Sequence, residues 1–399
     1  MPSTLASRLA AVAPSITLVM NARAAELRAK GVDVFAFGVG EPDFEPPLFV
    51  LEAAKRAIDQ GASKYTAVSG ILPLREAVCE KLRAQRGVEA TPDQVVVGVG
   101  AKHALFNLAL ALYEHGDEVV IPTPSWISYA EQVRMMGATP VLVPSSEEEG
   151  FRISPEKLEK ALTPRTKAVI FCTPSNPTGA AYDGPQMSAL LDVLRKHDCI
   201  IVVDEIYADL VYDGFVHVSA GKLGADVRDR LVLIDGVAKS YAMTGWRIGW
   251  AVAPKRIAMA LDTIQGQSTT NATAVAQHAA VAALRGPQDA VLAMRDKFQK
   301  RRDVMVAGLN ALPGVRCRVP EGAFYAFADC RSLYGIAHKG KAITTDEEVA
   351  MFLLEAAHVA SVPGGPFGAP GYVRFSYATS EDRITAGLAA IRAAVDAHR

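Results

Sequence analysis

The stretch Asp235-Gly-Val-Ala-Lys239-Ser-Tyr-Ala-Met-Thr-Gly-Trp-Arg247-Ile-Gly-Trp250 decides how the rest of the chain is read. An apolar run, Leu231 to Ile234, precedes it, and another, Ile248 to Ala253, closes it. That pattern predicts strand, connection and strand in a buried sheet. Lys239 stands where the first strand hands over, among glycine, alanine and serine, whose small side chains let another molecule approach the backbone. A lysine against apolar walls is driven toward its neutral, nucleophilic form. Eight residues on, Arg247 offers a planar fork suited to phosphate. A carbonyl cofactor that also carries a phosphate would suit both residues. The competing reading is two ordinary charges on a loop.

Composition sets the outer bounds. The chain has 399 residues, room for a large core and for two domains. Hydrophobic residues make up 50% and charged residues 21%, which argues for a globular enzyme and against disorder. A formal net charge of -1 gives no footprint for nucleic acid. Five cysteines, an odd number without a C-x-x-C pair, predict no disulfide framework and fit a reducing cytoplasm. No sustained apolar core follows a basic start, so no signal peptide is expected. The apolar runs are too short and too often broken to span a bilayer, so no membrane partner is expected either.

Along the chain, helical patterns cover residues 15–30, 48–60 and 71–86, with a short strand predicted at 32–39. From Val95 onward, apolar strands at 95–99, 118–121, 140–143, 167–172, 199–204, 231–235 and 248–253 alternate with helices. Such alternation predicts an α/β architecture, a mostly parallel central sheet covered by helices on both faces, with a smaller α/β domain beside it. Ligands in such sheets sit beyond the carboxyl ends of the strands, where Asn176, Asp204 and Lys239 all fall. A charge-rich helix near 287–311 leads to a smaller sheet with runs at 314–319, 323–328, 358–362 and 372–377, and a helix from Glu381 ends the chain. The expected division is a large domain over 47–290 and a small one built from 1–46 and 291–399.

Single residues leave alternatives open. Asp204 ends an apolar run and reads either as a satisfied core carboxylate or cap, or as the group that keeps a pyridine nitrogen protonated. Asn176 and Tyr207 can hydrogen-bond a ring oxygen, although Asn-Pro is also ordinary turn chemistry. Gly98-Val-Gly100-Ala-Lys102 follows a strand and opens a helix, a place for phosphate. The rival dinucleotide fingerprint fails because His103 stands where its third glycine belongs. Trp126 can stack on a planar ligand or simply fill core. Arg374, set in the strand-like run Tyr372-Val-Arg-Phe-Ser-Tyr, reads on its own as a structural ion pair.

Taken together, the motifs resemble a family. Gly40-Glu-Pro-Asp-Phe44, Lys64-Tyr65-Thr66, Asn176-Pro-Thr-Gly179, Asp204-Glu-Ile-Tyr207, the Lys239 to Arg247 segment and Arg374-Phe-Ser-Tyr377 occur in the order seen in class I pyridoxal-phosphate aminotransferases. The version here is similar to the bacterial aspartate and prephenate subgroup. The resemblance runs from about Pro14 to Ser380. It implies a fold-type I transferase and pyridoxal 5'-phosphate as cofactor, carried on Lys239 as a Schiff base. It also implies ping-pong transfer of an amino group from an L-amino acid to a 2-oxo acid. Asp204 is then the ring-nitrogen partner, and Trp126 the stacking ring. Gly100, Ala101, Lys102 and Arg247 hold the phosphate, with Tyr65 reaching the site of a neighbouring subunit in a homodimer. Arg374 clamps the substrate α-carboxylate, with Gly40 and Asn176 completing that subsite. This loop lacks the serine or threonine that the family often has there, which shifts phosphate binding onto backbone donors and Arg247.

For the distal end of the substrate, the resemblance points to Ser15 and Thr17 with Lys102, and hence to aspartate or glutamate as donor. Ser15 and Thr17 also fit as caps of the first helix. Donors with aromatic, prephenate-like or alanine side chains remain alternatives, as does a lyase or decarboxylase on the same scaffold. A binding module without turnover is a third class. Regulators of that kind carry a separate DNA-binding segment, for which this sequence shows no room.

Overall fold

The computed structural model describes residues 6–13 and 16–398. Fifteen strands occur among them: β1 (Phe35–Ala36), β2 (Val95–Val99), β3 (Glu118–Thr123), β4 (Thr139–Pro144), β5 (Thr166–Cys172), β6 (Ile200–Asp204), β7 (Leu231–Gly236), β8 (Ile248–Val252), β9 (Arg316–Cys317), β10 (Tyr325–Asp329), β11 (Ala337–His338), β12 (Lys341–Ala342), β13 (Val359–Ala360), β14 (Val362–Pro363) and β15 (Tyr372–Ser376).

Seven of these form the central sheet, in the order β2-β8-β7-β6-β5-β3-β4. Its interior strands read as continuous apolar runs because both faces are covered, whereas the edge strand β4 is largely exposed. Alternate residues serve different cores. Val169, Ile201 and Leu233 join one, while Ile170, Val202 and Ile234 join the other. The sheet is parallel except for β8, which pairs antiparallel with both β7 and β2. The reason lies in the connection: Val237 to Arg247 holds only a single 3-10 turn, too little for the helical crossover that a parallel return requires.

A second sheet, β14-β15-β10-β9, is antiparallel. It packs on the long helix Asp289–Asn310, which contributes Phe298 and Met305 to a separate core, and the last helix, Glu381–His398, packs against that long helix. The strand expected over 32–39 shrinks to β1, because its partner β13 is only two residues long before the chain leaves for the other sheet. That parallel pairing ties the N-terminal segment to the C-terminal region. The helix expected over 71–86 is α-helical only to Lys81 and then widens into a π-turn, Leu82–Arg86.

Candidate active site

The parallel strands β5, β6 and β7 end side by side, with Cys172 opposite Asp204 and Asp204 opposite Ile234. Above these ends lies a cavity of about 420 Å³. Asp204, Lys239, Asn176, Tyr207, Trp126, Lys102, Ala101, Arg247, Gly40 and Arg374 all line it. Ten of the residues singled out from sequence are therefore brought together.

Lys239 donates a 2.6 Å hydrogen bond to the Gly40 carbonyl and sits 5.9 Å from the Tyr207 ring centroid and 5.7 Å from that of Phe324. Burial lowers its proton affinity to about 8, against the opposing pull of the Glu41 carboxylate. Asp204 is 4% exposed. Its Oδ2 accepts from the Tyr129 hydroxyl at 2.7 Å, and its Oδ1 accepts from the Ile206 amide at 3.1 Å. Burial raises this carboxyl to about 6, and the Tyr129 hydrogen bond works in the other direction.

Gly100 caps the helix Ala101–Leu112 with φ +86°, a conformation open to glycine. A Cβ there would collide with the Arg247 guanidinium, and a Cβ on Gly249 would collide with the Ala101 backbone nitrogen. The two glycines let strand, helix start and arginine close on a common point. Arg247 holds φ +56° and donates to the Thr244 and Val99 carbonyls at 2.8 and 3.3 Å. His103, the residue that breaks the dinucleotide pattern, accepts the Val99 amide at 3.1 Å and closes the turn. Lys102 is on the rim, its Nζ 4.9 Å from the Trp126 ring centroid. Burial, then Arg247, lowers its proton affinity.

Arg374, on β15, is 2% exposed. It donates to Asn176 Oδ1 at 2.8 Å and to the Gly38 carbonyl at 2.9 Å, and its guanidinium lies 4.5 Å from the Tyr325 ring centroid. Its Nε is buried with no partner. Burial lowers its proton affinity. Asn176 therefore uses its side-chain oxygen to accept from Arg374, and the Tyr207 and Tyr325 hydroxyls share a 2.9 Å hydrogen bond in which either can donate.

Tyr65 stands apart, 89% exposed and outside the cavity. Ser15 lies outside the described residues, as does the side chain of Thr17.

Tyr129, Tyr325, Phe324, Glu41 and Gly249 were not singled out by sequence. Tyr129 carried a usable signal, since it follows Trp126 by three residues at a helix start and the two rings meet edge to face at 5.2 Å. Tyr325 and Phe324 carried none, because only the pairing of β10 with β15 brings them here. Among the described residues no helix is long and apolar enough to cross a membrane, and no acidic, histidine or cysteine cluster has metal-binding geometry. The five cysteines are free thiols.

Comparison with known proteins agrees with this geometry. The profile of the family described as Aminotransferase class I and II matches residues 32–391. An aspartate/prephenate aminotransferase of Cereibacter sphaeroides is 46% identical over 391 residues, covering 98% of each chain. The crystal structure of the aspartate aminotransferase from Rhizobium meliloti superposes with a TM-score of 0.95 at 44% identity, covering 99% of both chains. The solved structure of the aspartate aminotransferase from Thermus thermophilus with maleate reaches 0.92 at 42% identity, covering 98% of this chain and all of that one. The chain belongs to the class I and II aminotransferases, and its fold is the fold-type I architecture of that family.

Proposed function

We propose that the protein moves an amino group from a dicarboxylic L-amino acid, aspartate or glutamate, to a 2-oxo acid, using pyridoxal 5'-phosphate. One observation carries this reading: the depressed Lys239 amine, the buried Asp204 carboxylate and the buried Arg374 guanidinium share one cavity. The residues present fit the cofactor. The helix start at Gly100 and Ala101, with Arg247 and Lys102, provides donors for a phosphate. The Trp126 face, Asn176, Tyr207 and Asp204 surround the place of a ring, and Arg374 keeps a buried, unpaired Nε. When bound, the cofactor supplies a carbonyl that captures amines and a ring that spreads the electrons left on the α-carbon.

The protein's own share of the chemistry is binding and proton movement. Arg374 grips the α-carboxylate, itself held by Asn176 and the Gly38 carbonyl, with the Gly40 backbone completing the subsite. Lys239, with part of its amine neutral near neutral pH, takes the α-proton as base and returns it as acid. Asp204 stays ionised above about pH 6 and complements a positive ring nitrogen. Amino donor and oxo acceptor use the same cavity in turn, which gives ping-pong kinetics.

Lys102 at the rim is the cation for a second carboxylate, with Ser15 and Thr17 as its proposed hydroxyl partners. The relatives named for aspartate, and one studied with maleate, support a dicarboxylic donor. The exposed Tyr65 ring supports a homodimer in which it reaches the partner's phosphate. We assign 47–290 to the large domain and 1–46 with 291–399 to the small one, and place the enzyme in the cytoplasm. The test is a donor panel mixed with the yellow holoenzyme. Aspartate and glutamate should bleach the visible band fastest. Equal bleaching by neutral aliphatic donors would overturn the dicarboxylate assignment.

A further inference from the structure

Behind the cavity, on the opposite face of the sheet, lies a buried cluster of charge that the chemistry above does not use. Asp204 and the paired Ile234 face one core, so Asp235, one residue on, faces the other. There it meets Lys81, whose side chain is 2% exposed. Lys81 donates to Asp209 Oδ2 at 2.7 Å, stands 3.8 Å from Asp235 Oδ2, and lies 5.4 Å from the Tyr241 ring centroid. Arg86 pairs with the other oxygen of Asp209. Asp235 Oδ1 in turn accepts the Gly236 amide at 2.7 Å.

The local backbone explains how two cations reach one carboxylate. In an α-helix, residues five apart are rotated by about 140° round the axis and diverge. Here the chain from Leu82 to Arg86 is a π-turn, and the Gly87 amide bonds the Leu82 carbonyl five residues back. The wider turn brings Arg86 round to the side of Lys81, and Gly87, at φ +64°, ends the helix there.

The carboxylates sit at informative positions. Asp209 follows Tyr207 by two residues, and Asp235 lies at the end of β7, four residues before Lys239. Burial opposes every charge in the cluster. The carboxylates of Asp209 and Asp235 nevertheless hold Lys81 protonated above its ordinary range, and Lys81 and Arg86 hold Asp209 well below its own. An ion group this deep adds little net stability compared with apolar packing, so geometry is its better explanation.

We propose that Lys81 and Arg86 are positioning residues of the active site: through Asp209 and Asp235 they clamp the segments bearing Tyr207 and Lys239 to the helix and π-turn of residues 72–86. The clamp fixes the two segments against each other from behind, without touching substrate. It rests on the roles given to Tyr207 and Lys239 above.

The test is Lys81→Met, read in two ways. In the cofactor-loaded enzyme, kcat should fall roughly tenfold while the KM of the amino donor stays within about twofold, as for a misplaced group rather than a lost binding contact. In the cofactor-free protein, amide exchange in residues 204–210 and 236–242 should quicken by about tenfold while β3 and β4 keep their protection. An unchanged kcat, or exchange that quickens equally over the whole sheet, overturns the proposal. In Lys81→Met, Asp209 keeps only Arg86 and Asp235 loses its ion-pair partner, which can unfold the protein. Lys81→Met/Asp209→Asn removes the cation and one carboxylate together, and its amide exchange then decides the matter. Quickening confined to 204–210 and 236–242 supports the clamp, and quickening that is uniform or absent overturns it. The exchange measurement needs no cofactor, so the clamp can fail while the assignment of Lys239 stands.

Discussion

The Tyr129 hydroxyl donates a 2.7 Å hydrogen bond to Asp204, and it is a side-chain brake on the rise that burial imposes on that carboxyl. The carboxyl stands at about 6, above its ordinary 3.8, so the folded protein holds this proton more tightly than the unfolded chain. Stability from this group is therefore greatest below pH 3.8 and declines as pH rises to about 6. Above that, burial of the ionised form costs roughly 3 kcal/mol, at about 1.4 kcal/mol per tenfold change in proton affinity. Tyr129→Phe removes a donor to the ionised form. The acid limb of the pH profile of kcat/KM should move up by about one pH unit. An unmoved limb would separate Asp204 from the activity.

Lys239 has the opposite sign. Its amine is lowered from 10.5 to about 8 by burial, so the folded protein binds fewer protons than the unfolded chain between those values. Stability from this group rises with pH across that window. Only the neutral amine attacks a carbonyl. Uptake of pyridoxal phosphate by the cofactor-free protein should accordingly rise with pH, with a midpoint near 8. Glu41→Gln removes the main charge that raises the lysine, and the midpoint should fall. A midpoint near 10.5 would mean an ordinary solvated lysine.

Much of this site was legible in the sequence because strand ends announce themselves. The runs ending at Cys172, Asp204 and Gly236 are apolar on both faces, and a polar residue just beyond such a run has few places to go except the cavity above it. Arg374 was legible for a different reason, the resemblance of its motif, since an arginine flanked by aromatics reads alone as an ion pair. A mostly parallel sheet was legible, but that β8 is the strand running the other way was not, because alternating strands and helices say nothing about one short, helix-poor connection. Tyr325, hydrogen-bonded to Tyr207 and lying beneath Arg374, was invisible because its place depends on pairing between strands far apart in sequence. The Lys81 and Arg86 pairing was hidden by the π-turn, which no helical periodicity predicts.

Lys102 separates two readings of the rim. As the cation for a second carboxylate, its removal in Lys102→Ala should cost aspartate ~2 kcal/mol in kcat/KM while sparing alanine and phenylalanine. Equal losses for all donors would assign Lys102 to the cofactor phosphate instead.

Tyr65, at 89% exposure, makes no contribution to the cavity of its own chain, and the proposed homodimer gives it a place in the other. Tyr65→Phe and Lys239→Ala subunits, each impaired alone, should regain activity when dissociated and remixed, because one site in each mixed dimer then carries both native residues. Verified mixed dimers without recovered activity would remove Tyr65 from the shared site.

The most direct measurement is covalent trapping. Holoenzyme reduced with borohydride fixes any imine between lysine and cofactor, and peptide mass mapping then locates it. The expected result is a phosphopyridoxyl group on Lys239 alone, with Lys239→Ala untrapped and slowed roughly 10⁴-fold or more in turnover. A cofactor trapped on Lys102 or any other lysine, or near-normal turnover in folded Lys239→Ala, would contradict the assignment of Lys239 as the cofactor's anchor and proton carrier.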